Sequence, residues 1–222
     1  METIKKLQNE AVQFLTKTKL VLNGIEILPK EIEVYYYEIN GSFKDGSVHR
    51  NELQKNNKNH FYVHRWGETK NDKYKGVNRA GLDFVVSDDD NVYYSYLIRS
   101  AVINGNDNPI IGPNKVLNAI KDVCKFQDYK ELENASVKLE PNNISDAVLF
   151  SNRINLGENV GKYLDYKLRA VLCDDLYRGS KYPAKEKMIM DYLMSQKMSK
   201  EQKQVYAKEK LGYVPSALKL AI

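Results

Sequence analysis

Cysteine and long apolar runs are both scarce in this chain, and each scarcity removes a class of function. Two cysteines in 222 residues, Cys124 and Cys173, lie far apart, with no C-x-x-C spacing and no histidine-rich partner. That pattern argues against a disulfide framework and offers no zinc site, leaving two buried free thiols as the expectation. No apolar stretch nears the roughly 18–20 residues of a spanning helix. The opening "METIKKLQNEAVQFL" is amphipathic and charged, unlike a secretory h-region. A soluble, cytoplasmic protein without a membrane partner is therefore expected. Internal repeats, heptads and low-complexity tracts are also missing, which argues against solenoids and coiled coils.

Positive charge is present and unevenly placed. The net charge is +5, yet residues 44–79 carry nine Lys/Arg against four acids and residues 183–222 carry eight Lys against four. The rest of the chain is therefore acidic. A phosphate-binding face requires such concentration, although lysine-rich loops and a lysine-rich terminal helix are also ordinary solvated surface.

Hydrophobic periodicity predicts a helix over 2–17, from Ile4, Leu7, Ala11, Phe14 and Leu15. A hairpin follows about Asn23-Gly24. "EIEVYYYEI" carries apolar or aromatic groups on both faces, as a strand inside a sheet covered on both sides would. "FYVHRWG" reads as a short strand, and "LDFVVS" and "VYYSYLIRSAVI" as a hairpin about an acidic turn. Gly112-Pro113 opens a helix. "ASVKLEP", "LFSNRINLG" and "KLRAVLCD" are short strands. Two terminal helices follow, the second capped by Ser199 with Gln202. The sum is an α+β fold: a mixed, mostly antiparallel curved sheet flanked by helices over residues 1–182, with a helical extension over 183–222 that offers a surface for a protein partner.

Four features carry possible chemistry. Glu38 ends a strand of aromatics, with His49 eleven positions on, and partial desolvation there would suit an acid to proton abstraction; strand-end acids before Asn-Gly turns are also common. "SDDDN" at 87–91 supplies oxygens for a divalent cation but fits a hairpin turn better. The helix beginning at Gly112-Pro113, with Lys115 in its first turn, offers amide donors to a phosphate or is simply a helix start. Phe61, Tyr62, Trp66 and Tyr74 sit among basic residues, either as stacking platforms for bases or as sheet packing.

The order of these blocks along residues 20–173 resembles the alkyladenine (3-methyladenine) DNA glycosylase family. "YYYEIN" with its downstream His, "FYVHRWG", "GLDFVVS" to "LIRSA", "GPNKVLNAI" and "RINLG" to "YKLRAVL" follow that family's E-A-Y strand and His, Y-V-Y to Y-G strand, N-I to L-L-R-A hairpin, G-P-x-K-L, and R-I-G to P-L-R. The resemblance implies a monofunctional glycosylase that flips a damaged (alkylated or deaminated) purine out of double-stranded DNA and hydrolyses its N-glycosidic bond without metal or cofactor. It assigns Glu38 as general base and Arg99 as the arginine that holds the water. His49, His64, Asp83 and Asn40 fall at positions beside the base. Trp66 falls near the wedge that fills the vacated stack, and Arg65, Lys70, Lys73, Lys75 and Lys115 form the basic DNA-holding set. Asn40 stands where the family has a second stacking tyrosine, two residues after its Glu, and Asp83 where it has Asn. "NELQKNNKN" replaces a T-P-R-N segment, and "ETKNDKYKGV" adds about ten residues after Gly67. These departures bear on substrate and on activity, and they leave a catalytically silent nucleic-acid- or nucleotide-binding protein on the same fold as the alternative.

Overall fold

A computed structural model of the chain describes residues 2–76, 79–106, 108–173 and 185–219. The first helix, α1 (Glu2–Lys17), buries Leu7, Ala11, Phe14 and Leu15, one stripe at 3.6-residue spacing. It leads into β1 (Thr18–Leu22), which returns through Asn23 and Gly24 into β2 (Ile25–Glu38). Both turn residues have positive φ, 50° and 77°, which suits the right-handed twist of the two strands. The second strand of the Asn23-Gly24 hairpin and "EIEVYYYEI", separate segments in the sequence pattern, are both parts of β2. The structure runs it as one long strand against β5 (Val92–Ile103).

A paired irregularity at Pro29 makes that continuity possible. Register along β2–β5 slips between Pro29 and Glu31 and again between Glu31 and Ile32, so Lys30 on one strand and Arg99 on the other are extra residues. Each extra residue reverses the face alternation of its strand. Ile25 and Ile27 before the bulge, and Ile32, Val34 and Tyr36 after it, thereby all join the core under α1. On β5, Tyr94, Tyr96 and Ile98 share that core with Ala101 and Ile103. The opposite face of β2 after the bulge consists of Glu31, Glu33, Tyr35 and Tyr37.

The remaining elements extend and cover this pair. β3 (Phe61–Val63) and β4 (Leu82–Val85) continue the sheet beyond β5, and β6 (Ile110–Ile111) pairs with the end of β5 that lies past the bulge. Helix α2 (Pro113–Val123) starts with proline at its first turn and buries Val116, Leu117 and Ile120. The short α3 (Tyr129–Asn134), not foreseen from the sequence, is capped by Asp128. β7 (Lys138–Pro141) pairs with β1, while β8 (Val148–Ser151) pairs with β9 (Arg169–Leu172), which joins β2 at residues 31–33. Among the described residues the sheet is thus antiparallel in every pairing and curls about β2, giving an α+β fold. Helices α4 (Lys185–Ser195), α5 (Lys200–Leu211) and α6 (Ser216–Lys219) build a second cluster against β8 and β9, where Met188, Ile189, Leu193, Ala207 and Leu218 meet Leu149 and Val171. Ser199 and Gln202 form the reciprocal cap of α5. The 182/183 boundary lies outside the described residues. Cys124 and Cys173 are buried free thiols.

Two of the deeply buried ion pairs join segments far apart in the chain. Arg153 donates to Asp45 at 2.6 Å and to the Val34 carbonyl at 3.1 Å, and both charged side chains are fully enclosed. Arg65 forms a two-pronged bridge to Glu133, tying α3 to β3, with Tyr74 completing the cluster. Removing one partner strands the other charge without water. Asp45→Ala or Glu133→Ala should cost about 3–5 kcal/mol, read as a lower midpoint in urea unfolding; a loss under ~1 kcal/mol would show that water reaches the remaining guanidinium.

Candidate functional site

On the face of β2 and β5 away from α1 lies a cleft of about 710 Å³. Its floor is Glu33, Tyr35, Leu97 and Arg99, and the 154–157 loop after β8 forms one wall. The bulge explains Arg99: as the extra residue of β5, it is aimed at two consecutive same-face acids. Its Nε lies 3.0 Å from Glu31 Oε1 and its guanidinium 3.3 Å from Glu33 Oε1. Arg169 of β9 holds Glu31 from the other side at 2.6 Å. Glu33 has no solvent exposure by residue, and it accepts from the Tyr35 hydroxyl at 2.9 Å and the Ile154 amide at 3.0 Å. Burial, with the Glu33 charge beside it, raises Tyr35 well above an ordinary phenol, so Tyr35 stays a donor. Arg153 lies 4.9 Å from the Tyr35 ring centre.

The opposite wall is a chain of hydrogen bonds. Lys75 Nζ is 2.7 Å from His49 Nε2, and His49 Nδ1 is 3.1 Å from the Tyr62 hydroxyl. Burial first, then His64 and the Lys75 ammonium, push His49 down to about 3. A neutral ring beside an ammonium must accept at Nε2 and donate from Nδ1 to Tyr62. The His64 ring meets His49 edge to face at 4.4 Å. His64 Nε2 is 2.7 Å from Asp83 Oδ1, while Gln54 and Ser95 donate to Asp83 Oδ2. Burial alone would raise Asp83; its contacts with His64 and Ser95 outweigh that and hold it below the ordinary carboxylate range. A Cβ on Gly81 would come within 2.7–2.9 Å of the His64 ring, so the ring's position requires glycine there.

Trp66, 60% exposed, lies against two residues of the cleft lining, with Lys75 and Arg79 at 5.6 and 5.4 Å from its ring centre. Pro113 lines the cleft, so the amide end of α2 opens at its rim, and Lys115 is exposed two residues on. Lys70 and Lys73 are exposed in the segment after Gly67, and Lys70 borders a separate cleft beside Tyr74 and Glu133.

The structure brings Arg99, His49, His64 and Lys75 together, with Asp83 behind His64 and Trp66 beside Lys75. Glu38, Asn40 and Arg65 do not line this cleft. Glu38 is five positions from Glu33 along an unbroken register, an odd number, so it projects from the opposite face of the sheet. There it accepts from the Tyr36 hydroxyl at 3.0 Å and the Phe43 amide at 3.1 Å and lies against Gly41, closing the turn after β2. Asn40 is at that turn, bonded to Asn91 at 3.0 Å, and does not line the cleft. Arg65 is buried on Glu133 and is not available to a DNA backbone. The "SDDDN" segment is a turn: Ser87 and Asp89 bond neighbouring backbone, and Asp88 pairs with Lys58. The sequence reading missed Glu33 and Tyr35. A signal was present, since "EIEVY" puts two acids inside a strand covered on both faces, where a carboxylate needs a dedicated partner.

No protein-family model and no curated protein matches the chain. Among the described residues no group of three or more His, Cys, Asp or Glu is placed to hold a metal ion. Among them, too, no helix is long and apolar enough to cross a membrane.

His49 links the site to acidity. Unfolded, it takes up a proton near 6.5; folded, near 3. Between those values the unfolded chain binds more protons, so the stabilisation is complete above about 6.5 and is lost on acidification, by at most ~1.4 kcal/mol per pH unit. Urea unfolding at roughly pH 4.5 and pH 7.5 should show a smaller acid loss in His49→Gln than in the wild type. Equal losses would place the coupling elsewhere.

Proposed function

We propose that the chain is an N-glycosidase of the alkyladenine DNA glycosylase type, hydrolysing the bond between a damaged purine and its sugar, with Glu33 rather than Glu38 as the base. One observation carries this reading: a single carboxylate, Glu33, is buried on the floor of a cleft with room for a flipped nucleotide, beside Arg99 and between a tyrosine and two imidazoles. Glu33-Val34-Tyr35 has the order of the E-A-Y strand. In that register the aromatic that Asn40 had seemed to replace is Tyr35, and the interval from Glu to His49 is sixteen residues instead of eleven.

The chemistry follows from the residue types. A base must leave the duplex to reach such a floor, and stacking and hydrogen bonds in the cleft offset the few kcal/mol of unstacking. His49 and His64 contact the flipped base. Arg99, anchored by Glu31, orients a water toward the sugar C1′. Glu33 accepts the water proton as the C–N bond breaks and its charge stabilises the cationic sugar. Exposed Trp66 fills the vacated stack, with Arg79, Lys73, Lys70 and Lys115 as phosphate partners.

A silent binding protein is the second reading. It is favoured by the occupancy of Glu33, whose oxygens already accept from Tyr35 and Ile154 and face Arg99. The two readings separate in one assay. Duplexes carrying hypoxanthine, ethenoadenine or 3-methyladenine are incubated with protein and scored for abasic sites. Release by wild type and by Glu38→Gln, with a drop of at least about 100-fold in Glu33→Gln, supports the glycosylase. Salt-sensitive binding without release from any duplex supports the binding protein.

A further inference from the structure

We infer that Lys75 selects the class of base: resting on the glycosylase reading, the cleft takes an uncharged purine bearing a carbonyl, as deamination produces, and turns away purines made cationic by N-alkylation. Hydrogen-bond capacity is the first argument. Both ring nitrogens of His49 are engaged, by Lys75 and Tyr62, and Nε2 of His64 is bound to Asp83. Lys75 spends one N–H on His49 and has two more. The wall therefore offers a flipped base ammonium donors, which match a carbonyl oxygen and its neighbouring ring nitrogen.

Charge is the second argument. Glu31 and Glu33 are matched within the floor by Arg99 and Arg169. Among the described residues no carboxylate lies within salt-bridge reach of Lys75 or Arg79, and the Asp83 carboxylate is enclosed behind His64. Lys75 is half-buried, so water screens it only in part. A fixed positive charge on the base would sit in a positive field.

Aromatic surface is the third. A cationic base is normally held by the faces of aromatic rings. Here the Tyr35 ring lies beside Arg153, and Trp66 lies beside Lys75 and Arg79. Each of these rings already carries a cation of the protein, so a cationic base stacked on it would meet a like charge.

The test compares duplexes carrying one hypoxanthine or one 7-methylguanine, by single-turnover release with the wild type and by equilibrium binding to Glu33→Gln. Hypoxanthine should be favoured by about tenfold or more in both. Lys75→Gln should bring the two close to parity, chiefly by improving 7-methylguanine, and Lys75→Arg should keep the preference. Lys75→Met makes the same comparison if the glutamine variant does not fold. A preference for 7-methylguanine, or a ratio that neither neutral variant moves, overturns the inference while leaving the glycosylase intact. Release of neither base, with a hypoxanthine binding preference that Lys75→Gln abolishes, overturns the glycosylase and keeps the selection. Binding without discrimination overturns the selection whatever is released.

Discussion

The double bulge of β2 and β5 is the constraint on which the rest of the molecule depends. A strand of fourteen residues cannot keep one apolar face under a helix if its alternation is out of phase at the two ends. The extra residues Lys30 and Arg99 reverse the phase, letting Ile27 and Ile32 face the same core. The same reversal turns Glu31, Glu33 and Tyr35 to the other side and delivers Arg99 among them. Core and cleft are two faces of one register, so a slip of one residue would empty both.

Around that strand the protein buries more charge than stability alone would favour. Arg99 and Arg169 on Glu31, Arg153 on Asp45, and Arg65 on Glu133 are all paired at low exposure. Desolvation offsets much of the attraction in such pairs, and apolar replacements are often as stable. What these pairs do supply is placement. Arg153 joins the 45 turn to the Val34 backbone beside Tyr35, and Arg169 and Arg99 fix Glu31 from two strands. The floor of the cleft is held by charges whose own positions leave little room to move.

Much of the fold was legible in the sequence, and the reasons are local. The spacing of Leu7, Ala11, Phe14 and Leu15 permits one helix, Asn23-Gly24 one turn, and Ser199 with Gln202 one cap. Part of the site was legible as well, because "LIRSA" and "FYVHRWG" point to Arg99, His49's neighbour His64, and Trp66. The choice between Glu33 and Glu38 was not. Both are acids in the same aromatic strand, and the interval to His49 drew attention to Glu38, which the register places on the face away from the cleft. Arg65 was equally opaque, since an arginine in a basic segment looks like surface until Glu133, sixty-eight residues away, is seen to enclose it.

By itself, then, the sequence determined most of the helices and strands, the α+β class and the kinds of side chain available to a site, because these follow from interactions within a few residues. Tertiary structure alone decided which acid meets Arg99, that Lys75 lies against His49, and that Asn40 stands apart. Those outcomes depend on the face each residue takes after the bulge and on partners far along the chain. Sequence spacing does not encode either one.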